Sequence, residues 1–163
     1  MTMRCVSAII CLSLLANGAA DQAPQVTIGA TTLDPTSPAK IHYLGQVYMS
    51  VYYKSTVPVE IFASLASSSD SRQCTPIISM MTGTTSIYPA GEGEALCATS
   101  PILGRATDAN TIVIIVKSAE TGEQLDVTHV PVDFSWDTRH LPRPEPADWV
   151  KALQHKLDPP QRP

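Results

Sequence analysis

The chain has few aromatic residues, few basic residues and four cysteines, and each shortage narrows what the protein can be. Only 6% of its 163 residues are aromatic, and 11 Lys and Arg stand against 15 Asp and Glu. The acidic excess disfavours nucleic acid as a partner, because phosphate backbones are bound by clustered Lys and Arg. No phosphate-binding loop, metal-ligand motif or Gly-x-Ser-x-Gly nucleophile motif is present. The sequence therefore predicts no cofactor and no metal, and it favours a binding protein over an enzyme.

Long apolar runs are also missing. The longest near the N-terminus covers residues 5–16; it follows Arg4 and precedes a run of small residues. Twelve helical residues span about 18 Å, well short of the roughly 30 Å hydrocarbon core of a membrane. This arrangement is typical of a secretory signal peptide. We therefore predict a signal peptide over residues 1–20, a secreted or periplasmic location, and no membrane span.

Loss of residues 1–20 would leave two cysteines, Cys74 and Cys97. An even pair in a chain bound for an oxidising compartment predicts a structural disulfide. Closing a loop of about 24 residues would stabilise the fold by roughly 3 kcal/mol. The spacing is too wide for a Cys-x-x-Cys redox site, and a single thiol pair without clustered histidines is a poor zinc site.

The fold class follows from the spacing of glycine and proline and from the composition of the segments between them. Gly and Pro recur about every ten residues up to residue 138, and β-branched residues dominate the apolar runs between them, which is typical of an all-β domain. About seven strands can be counted, so we predict an immunoglobulin-like β-sandwich over residues 21–138. The Cys, Trp and Cys arrangement of antibody domains is missing, since neither Trp136 nor Trp149 lies between the two cysteines.

The most continuous apolar run is residues 111–117. A strand buried on one face alternates apolar with polar residues, whereas here both Ile114 and its neighbours Val113 and Ile115 are apolar, so both faces should be covered. Residues 119–123 then predict a hairpin turn with Gly122 at positive φ. In the returning strand, Pro131 indicates an edge or a bulge.

Residues 139–163 predict a Pro-rich connector and a short amphipathic helix. Prolines at alternate positions 142, 144 and 146 favour an extended connector. A helix of about a dozen residues is unstable alone, so its apolar stripe must dock on its own sandwich or on another protein. We assign this stripe as the partner-binding surface, and we hypothesise that in a closed monomer it covers Val113 and Ile115. The stripe consists of Trp149, Val150, Leu153 and Leu157.

Candidate catalytic side chains are sparse. Ionisable residues recur between positions 126 and 140, but on a strand Asp126 and His129 point to opposite faces. The function predicted is an exported, non-catalytic protein-binding module, an accessory or structural component of an extracytoplasmic assembly with an unidentified partner. Two alternatives stay open: a small secreted hydrolase, and an inhibitor that presents a loop at residues 83–94. The hydrolase would use Asp126, His129, Asp133, Asp137 and His140.

Overall fold

A computed structural model of the protein describes residues 23–43, 45–67, 75–76, 79–81, 87–101 and 106–157. Ten strands and one helix lie within these residues. In chain order they are β1 Val26–Asp34, β2 Ala39–Ile41, β3 Val47–Ser55, β4 Val59–Ser67, β5 Thr75–Pro76, β6 Ser79–Met81, β7 Ile87–Tyr88, β8 Gly91–Pro101, β9 Thr107–Ser118, β10 Gln124–Trp136 and α1 Asp148–Leu157.

The strands form two sheets. The β8 sheet has the order β1-β3-β8-β6, and the β9 sheet has the order β2-β10-β9-β4-β5, with β7 pairing β4. If β1, β3, β4, β6, β8, β9 and β10 are labelled A to G, the sheets contain strands ABED and CFG, which is the immunoglobulin division. The predicted immunoglobulin-like β-sandwich with a C-terminal helix is therefore confirmed. The domain boundary at residue 138 stays a prediction.

The core lies between the two sheets and follows the period of two that strands impose. On β3, the alternate residues Val47, Met49, Val51 and Tyr53 are buried. The facing sheet contributes alternate residues of β4 and three residues of β9. These three, Ile112, Ile114 and Val116, are fully buried. Each large apolar side chain buried in this way stabilises the fold by roughly 1.5–3 kcal/mol.

The β9–β10 hairpin agrees with its prediction. Gly122 has a φ of +72°, and its amide donates to the carbonyl of Ser118 at 2.9 Å. The Ser118 hydroxyl also accepts the amides of Glu120 and Thr121. The register of β10 against β9 shifts just after Pro131, so this proline marks the predicted bulge, and beyond it residues 134–136 pair with β2 in parallel.

Helix α1 docks on its own sandwich, but not where the sequence hypothesis placed it. It contacts β8, whereas Val113 and Ile115 lie on the outer face of the other sheet and are only half-buried. The predicted cover of those two residues is therefore wrong. The physical reason lies at the two ends of the helix, which are both held by the β8 sheet: the Ala147 amide donates to Oδ2 of Asp34 on β1, and Nζ of Lys156 lies 3.6 Å from the Glu94 carboxylate on β8.

Candidate functional site: the cleft beneath the connector

The connector, residues 137–147, leaves β10 and returns to α1 along one end of the sandwich. Its first anchor is Asp137, whose amide donates to the carbonyl of Ile41 at 3.0 Å. One carboxylate oxygen, Oδ1, lies 2.9 Å from Nδ1 of His42 and accepts the amide of Arg139 at 3.1 Å. The other oxygen accepts Nε of Arg139 at 2.7 Å and lies 3.8 Å from Nζ of Lys40. The end of β2 and the start of the connector are thus joined through one carboxylate.

This arrangement keeps Asp137 ionised. The hydrogen bond from His42, followed by those from Arg139, holds the pKa of the Asp137 carboxyl well below its usual range, although partial burial acts in the opposite direction. Two further contacts extend the anchor: the amide of Tyr43 donates to the carbonyl of Arg139 at 3.1 Å, and the rings of Tyr43 and His140 lie 4.4 Å apart.

The second anchor lies at the other end of the connector. The amide of Ala147, just before α1, donates to Oδ2 of Asp34 at 2.7 Å. Val150 is fully buried and Leu153 is 6% exposed, while Nζ of Lys156 lies 3.6 Å from the Glu94 carboxylate on β8. The end of the connector is therefore fixed by its own hydrogen bond from Ala147 to Asp34, and α1 adds two buried side chains and one surface ion pair.

Between the two anchors the connector forms one wall of a cleft of about 220 Å³. The opposite wall is the end of the sandwich around β1, β2 and the start of β3. The hydroxyl of Tyr48 in this wall donates to Oε1 of Gln46 at 2.7 Å, and Leu141 in the connector is 48% exposed. The lining residues are Asp34, Pro35, Lys40, Ile41, His42, Tyr43, Gly45, Gln46, Tyr48, Leu141, Pro142, Arg143, Pro144, Glu145 and Pro146.

The charged side chains of the lining are mostly paired. The Glu145 carboxylate binds Nζ of Lys151 at 2.9 Å, which holds the pKa of Glu145 below its usual value and raises that of Lys151. Asp34 accepts the amide of Ala147, and Lys40 faces Asp137. Within the part of the chain that the structure describes, Arg143 has no carboxylate within 4.0 Å.

The structure separates most of the candidate catalytic residues. Asp126 accepts the hydroxyl of its neighbour Thr128 at 2.9 Å, and His129 and Asp133 are exposed on β10. Asp137 and His140 both lie in the connector, but each contacts a different partner: Asp137 contacts His42, and the ring of His140 lies against Tyr43. The sequence analysis did not identify these partners. Among the described residues, no group of three or more His, Cys, Asp or Glu side chains is arranged to hold a metal ion.

The stripe assigned to partner binding is divided by the docking of α1. Val150 and Leu153 are buried against the sandwich, while Trp149 and Leu157 are half-buried. Their role in binding another protein stays a prediction. The predicted inhibitor loop lies partly outside the described residues, which omit positions 82–86.

Cys97 lies on the inner face of β8, where its thiol donates to the carbonyl of Ile61 at 3.7 Å. It is a free cysteine in this structure, and burial raises the pKa of its thiol to about 12. Cys74 lies outside the described residues, so the predicted bond between the two cysteines stays a prediction.

The fold defines the class of this protein as an immunoglobulin-like sandwich with a C-terminal helix. No protein-family model matches the chain, and no curated protein matches it. Similar solved structures include a domain of the outer membrane lipoprotein Omp28 from Porphyromonas gingivalis, with 15% identity and a TM-score of 0.45 over 67% of this chain and 88% of that one. Another is a Niemann-Pick type C2 protein from the Japanese carpenter ant, with 12% identity and a TM-score of 0.43 over 68% and 91% of the two chains. Similarity of this degree does not indicate a shared function.

Within the described ranges, no helix combines the length and the apolar composition needed to cross a membrane.

Proposed function

We propose that the protein is an exported, non-catalytic protein-binding module of an extracytoplasmic assembly, and that the cleft beneath the connector is its contact site. The observation that carries this proposal is the construction of the cleft. A rigid sandwich end forms one wall, and an extended, solvent-exposed connector held at both ends forms the other. Export is supported by the N-terminal sequence, with its cationic residue and short apolar segment.

The composition of the walls favours a protein partner. Tyr43 and Tyr48 line the sandwich side, and Leu141, Pro142 and Pro144 line the connector side. Tyrosine is enriched at the centres of protein interfaces, because it combines a large apolar surface with a polar hydroxyl. A volume of about 220 Å³ is smaller than a typical pocket for a drug-sized ligand, which occupies roughly 300–1,000 Å³. The cleft thus fits a side chain of a larger partner.

The hydrolase alternative has one observation in its favour, the 2.9 Å contact between His42 and Asp137, since a carboxylate often orients a catalytic histidine. That histidine needs a nucleophile within hydrogen-bonding reach. Among the described residues, no serine, threonine or cysteine side chain is hydrogen-bonded to His42, and the Asp137 carboxylate is shared with Arg139 and Lys40. We therefore assign the pair to anchoring the connector.

The test is site-specific photo-crosslinking in cells that naturally export the protein. A photoreactive amino acid replaces Leu141, whose side chain is exposed at the rim of the cleft, and a matched variant carries it at the exposed Thr121 in the β9–β10 turn. We expect a discrete adduct from position 141 that excess purified protein suppresses, and none from position 121. Equal adducts from the two positions, or no adduct from either, would contradict the proposal.

A further inference from the structure

We propose that the cleft accepts one aromatic side chain of the partner, and that it is complete only while α1 is docked on the β8 sheet. This inference rests on the proposed function, because it names the group that the contact site recognises and the condition under which the site exists.

The size of the cleft fits one ring system. A closed apolar cavity of about 150 Å³ can hold benzene. The space beneath the connector is about 220 Å³, so it has room for a larger ring such as an indole. Proline rings and tyrosine faces on its two walls offer flat apolar surfaces, which suit the offset stacking that aromatic groups prefer.

The charges of the lining do not select an anion. Two carboxylates, Asp34 and Glu145, lie in it beside two cations, Lys40 and Arg143, so the lining has no net positive charge to attract an anionic group. Arg143 is the lining cation that has no carboxylate partner within the described residues. A guanidinium without an anionic partner is attracted to the electron-rich face of an aromatic ring. The cleft therefore combines apolar walls with one cation suited to a π face.

The connector wall depends on its anchors. Residues 141–146 all line the cleft, yet within the described ranges none of them makes a hydrogen bond to the sandwich; Glu145 bonds only to Lys151 on α1. The wall is therefore placed by the Asp137 anchor at one end and, at the other, by the hydrogen bond from the Ala147 amide to Asp34 together with α1. A ten-residue helix is unstable in water unless it is packed. Undocking α1 would leave this end of the connector held by the single bond to Asp34, and the wall of the cleft would loosen.

A ligand that binds only the complete cleft must then stabilise the docked helix, because binding and docking are linked equilibria. The size of this effect is fixed by ligand concentration. At a free concentration ten times its Kd, a ligand of the docked state reduces the undocked population by about elevenfold.

The first experiment measures specificity with the full exported chain. N-acetyl-tryptophanamide and the aliphatic control N-acetyl-leucinamide are titrated while backbone amide shifts are followed by NMR. We expect the tryptophan compound to shift amides at residues 40–43, 45–48, 141, 143, 145 and 147 and to bind at least about fivefold more tightly than the leucine compound. The Arg143→Met variant keeps the apolar stem and should weaken tryptophan binding by roughly two- to fivefold. Equal affinities for the two compounds, or shifts elsewhere only, would overturn the assignment of an aromatic ligand.

The second experiment measures the coupling. Amide hydrogen exchange of α1 is compared with and without N-acetyl-tryptophanamide at ten times its Kd, and exchange in the wild-type helix should slow by about elevenfold. Amides of the β9–β10 turn serve as the internal control and should not change. In the Leu153→Asn variant the helix should undock and the compound should bind at least about tenfold more weakly, whereas the exposed Gln154→Asn variant should bind normally.

Two results would overturn the coupling: unchanged α1 exchange in a saturated cleft, or full affinity in a Leu153→Asn variant whose helix is undocked. Since the exchange measurement needs no variant, it decides the question even if Leu153→Asn fails to fold. A failure here is also distinct from a failure of the proposed function. A partner that still crosslinks through position 141 while the tryptophan compound does not bind would remove the aromatic ligand and keep the contact site.

Discussion

The two outer faces of the sandwich differ in their cover, because α1 contacts the β8 sheet, whereas Val113 and Ile115 on the outer face of the β9 sheet are only half-buried. On the β8 sheet the outward residues include the buried Ser50, Ala98 and Ser100 as well as the larger Tyr48, Tyr52 and Leu96. On the β9 sheet the outward residues include Phe62, Ile115 and Val127, and Val127 is 37% exposed. The helix therefore lies where its two ends are anchored, through Asp34 and Glu94, and the apolar run of β9 does not decide its position.

The uncovered face is stabilised within its own sheet. Phe62, Ile115 and Val127 are direct cross-strand neighbours, so each side chain shields part of the next. Nζ of Lys117 lies 5.7 Å from the centroid of the Phe62 ring, which adds a cation–π contact at the same place. A row of this kind reduces the exposed apolar surface without a second layer of structure. This explains how β9 can be apolar on both of its faces.

The largest expected loss of stability comes from truncating a buried side chain of α1 on the covered face. Leu153→Ala should lower the free energy of unfolding by about 2–4 kcal/mol, since it removes a buried side chain and leaves a cavity between α1 and the sheet. The matched change on the uncovered face, Val127→Ala, should cost less than about 1 kcal/mol. Urea unfolding measures both values. Equal losses would mean that the two faces do not differ in burial.

A smaller effect is expected from overpacking the outer face of β8. Ala98→Leu places a larger side chain at a buried position and should destabilise the protein by roughly 1–3 kcal/mol. Ile115→Leu on the uncovered face conserves volume and should be nearly neutral. Thermal melting of both variants checks this. A neutral Ala98→Leu would show that a small residue is not required at this position.

The third prediction concerns Asp137, which joins the start of the connector to the end of β2 beside the cleft. Because hydrogen bonds from His42 and Arg139 lower the pKa of Asp137, its carboxylate contributes stability that is present above the unfolded pKa of about 4 and is lost as the pH falls toward the folded value. Asp137→Asn should therefore be less stable than the wild type at pH 7, and the difference should shrink below about pH 4. Melting curves between these pH values measure it. A difference that does not depend on pH would exclude an ionic anchor.

The smallest effect is expected at the ion pair between α1 and β8. Both Lys156 and Glu94 are exposed, so Lys156→Gln should cost no more than about 1 kcal/mol and less at high salt. Chemical denaturation at low and high salt checks the value. A larger, salt-independent loss would assign the docking of α1 to this pair in place of Val150 and Leu153.

The sequence was sufficient to predict the features that depend on local pattern. The apolar run of residues 111–117 identified β9, and the composition of residues 119–123 identified the hairpin with Gly122. The strand count was enough for the fold class, because seven of the ten described strands carry the immunoglobulin order.

The cleft could not be predicted in the same way. Asp137 and His42 are 95 residues apart, and they meet only because the end of β10 pairs in parallel with β2. A short parallel pairing of this kind leaves no periodic signal. The position of α1 was missed for a related reason: the apolar pattern of β9 indicated a need for cover, while the groups that hold the two ends of α1, the Asp34 and Glu94 carboxylates, lie on other strands.

The most direct test of this account is a methyl NOE measurement on the protein in solution. We predict NOEs from the methyl groups of Val150 and Leu153 to methyl groups on the outer face of β8, undiminished when labelled protein is diluted with unlabelled protein under conditions that isolate intramolecular contacts. NOEs from α1 to Val113 and Ile115, or none to either face, would contradict it, since the helix would then neither cover the β8 sheet nor hold the connector over the cleft.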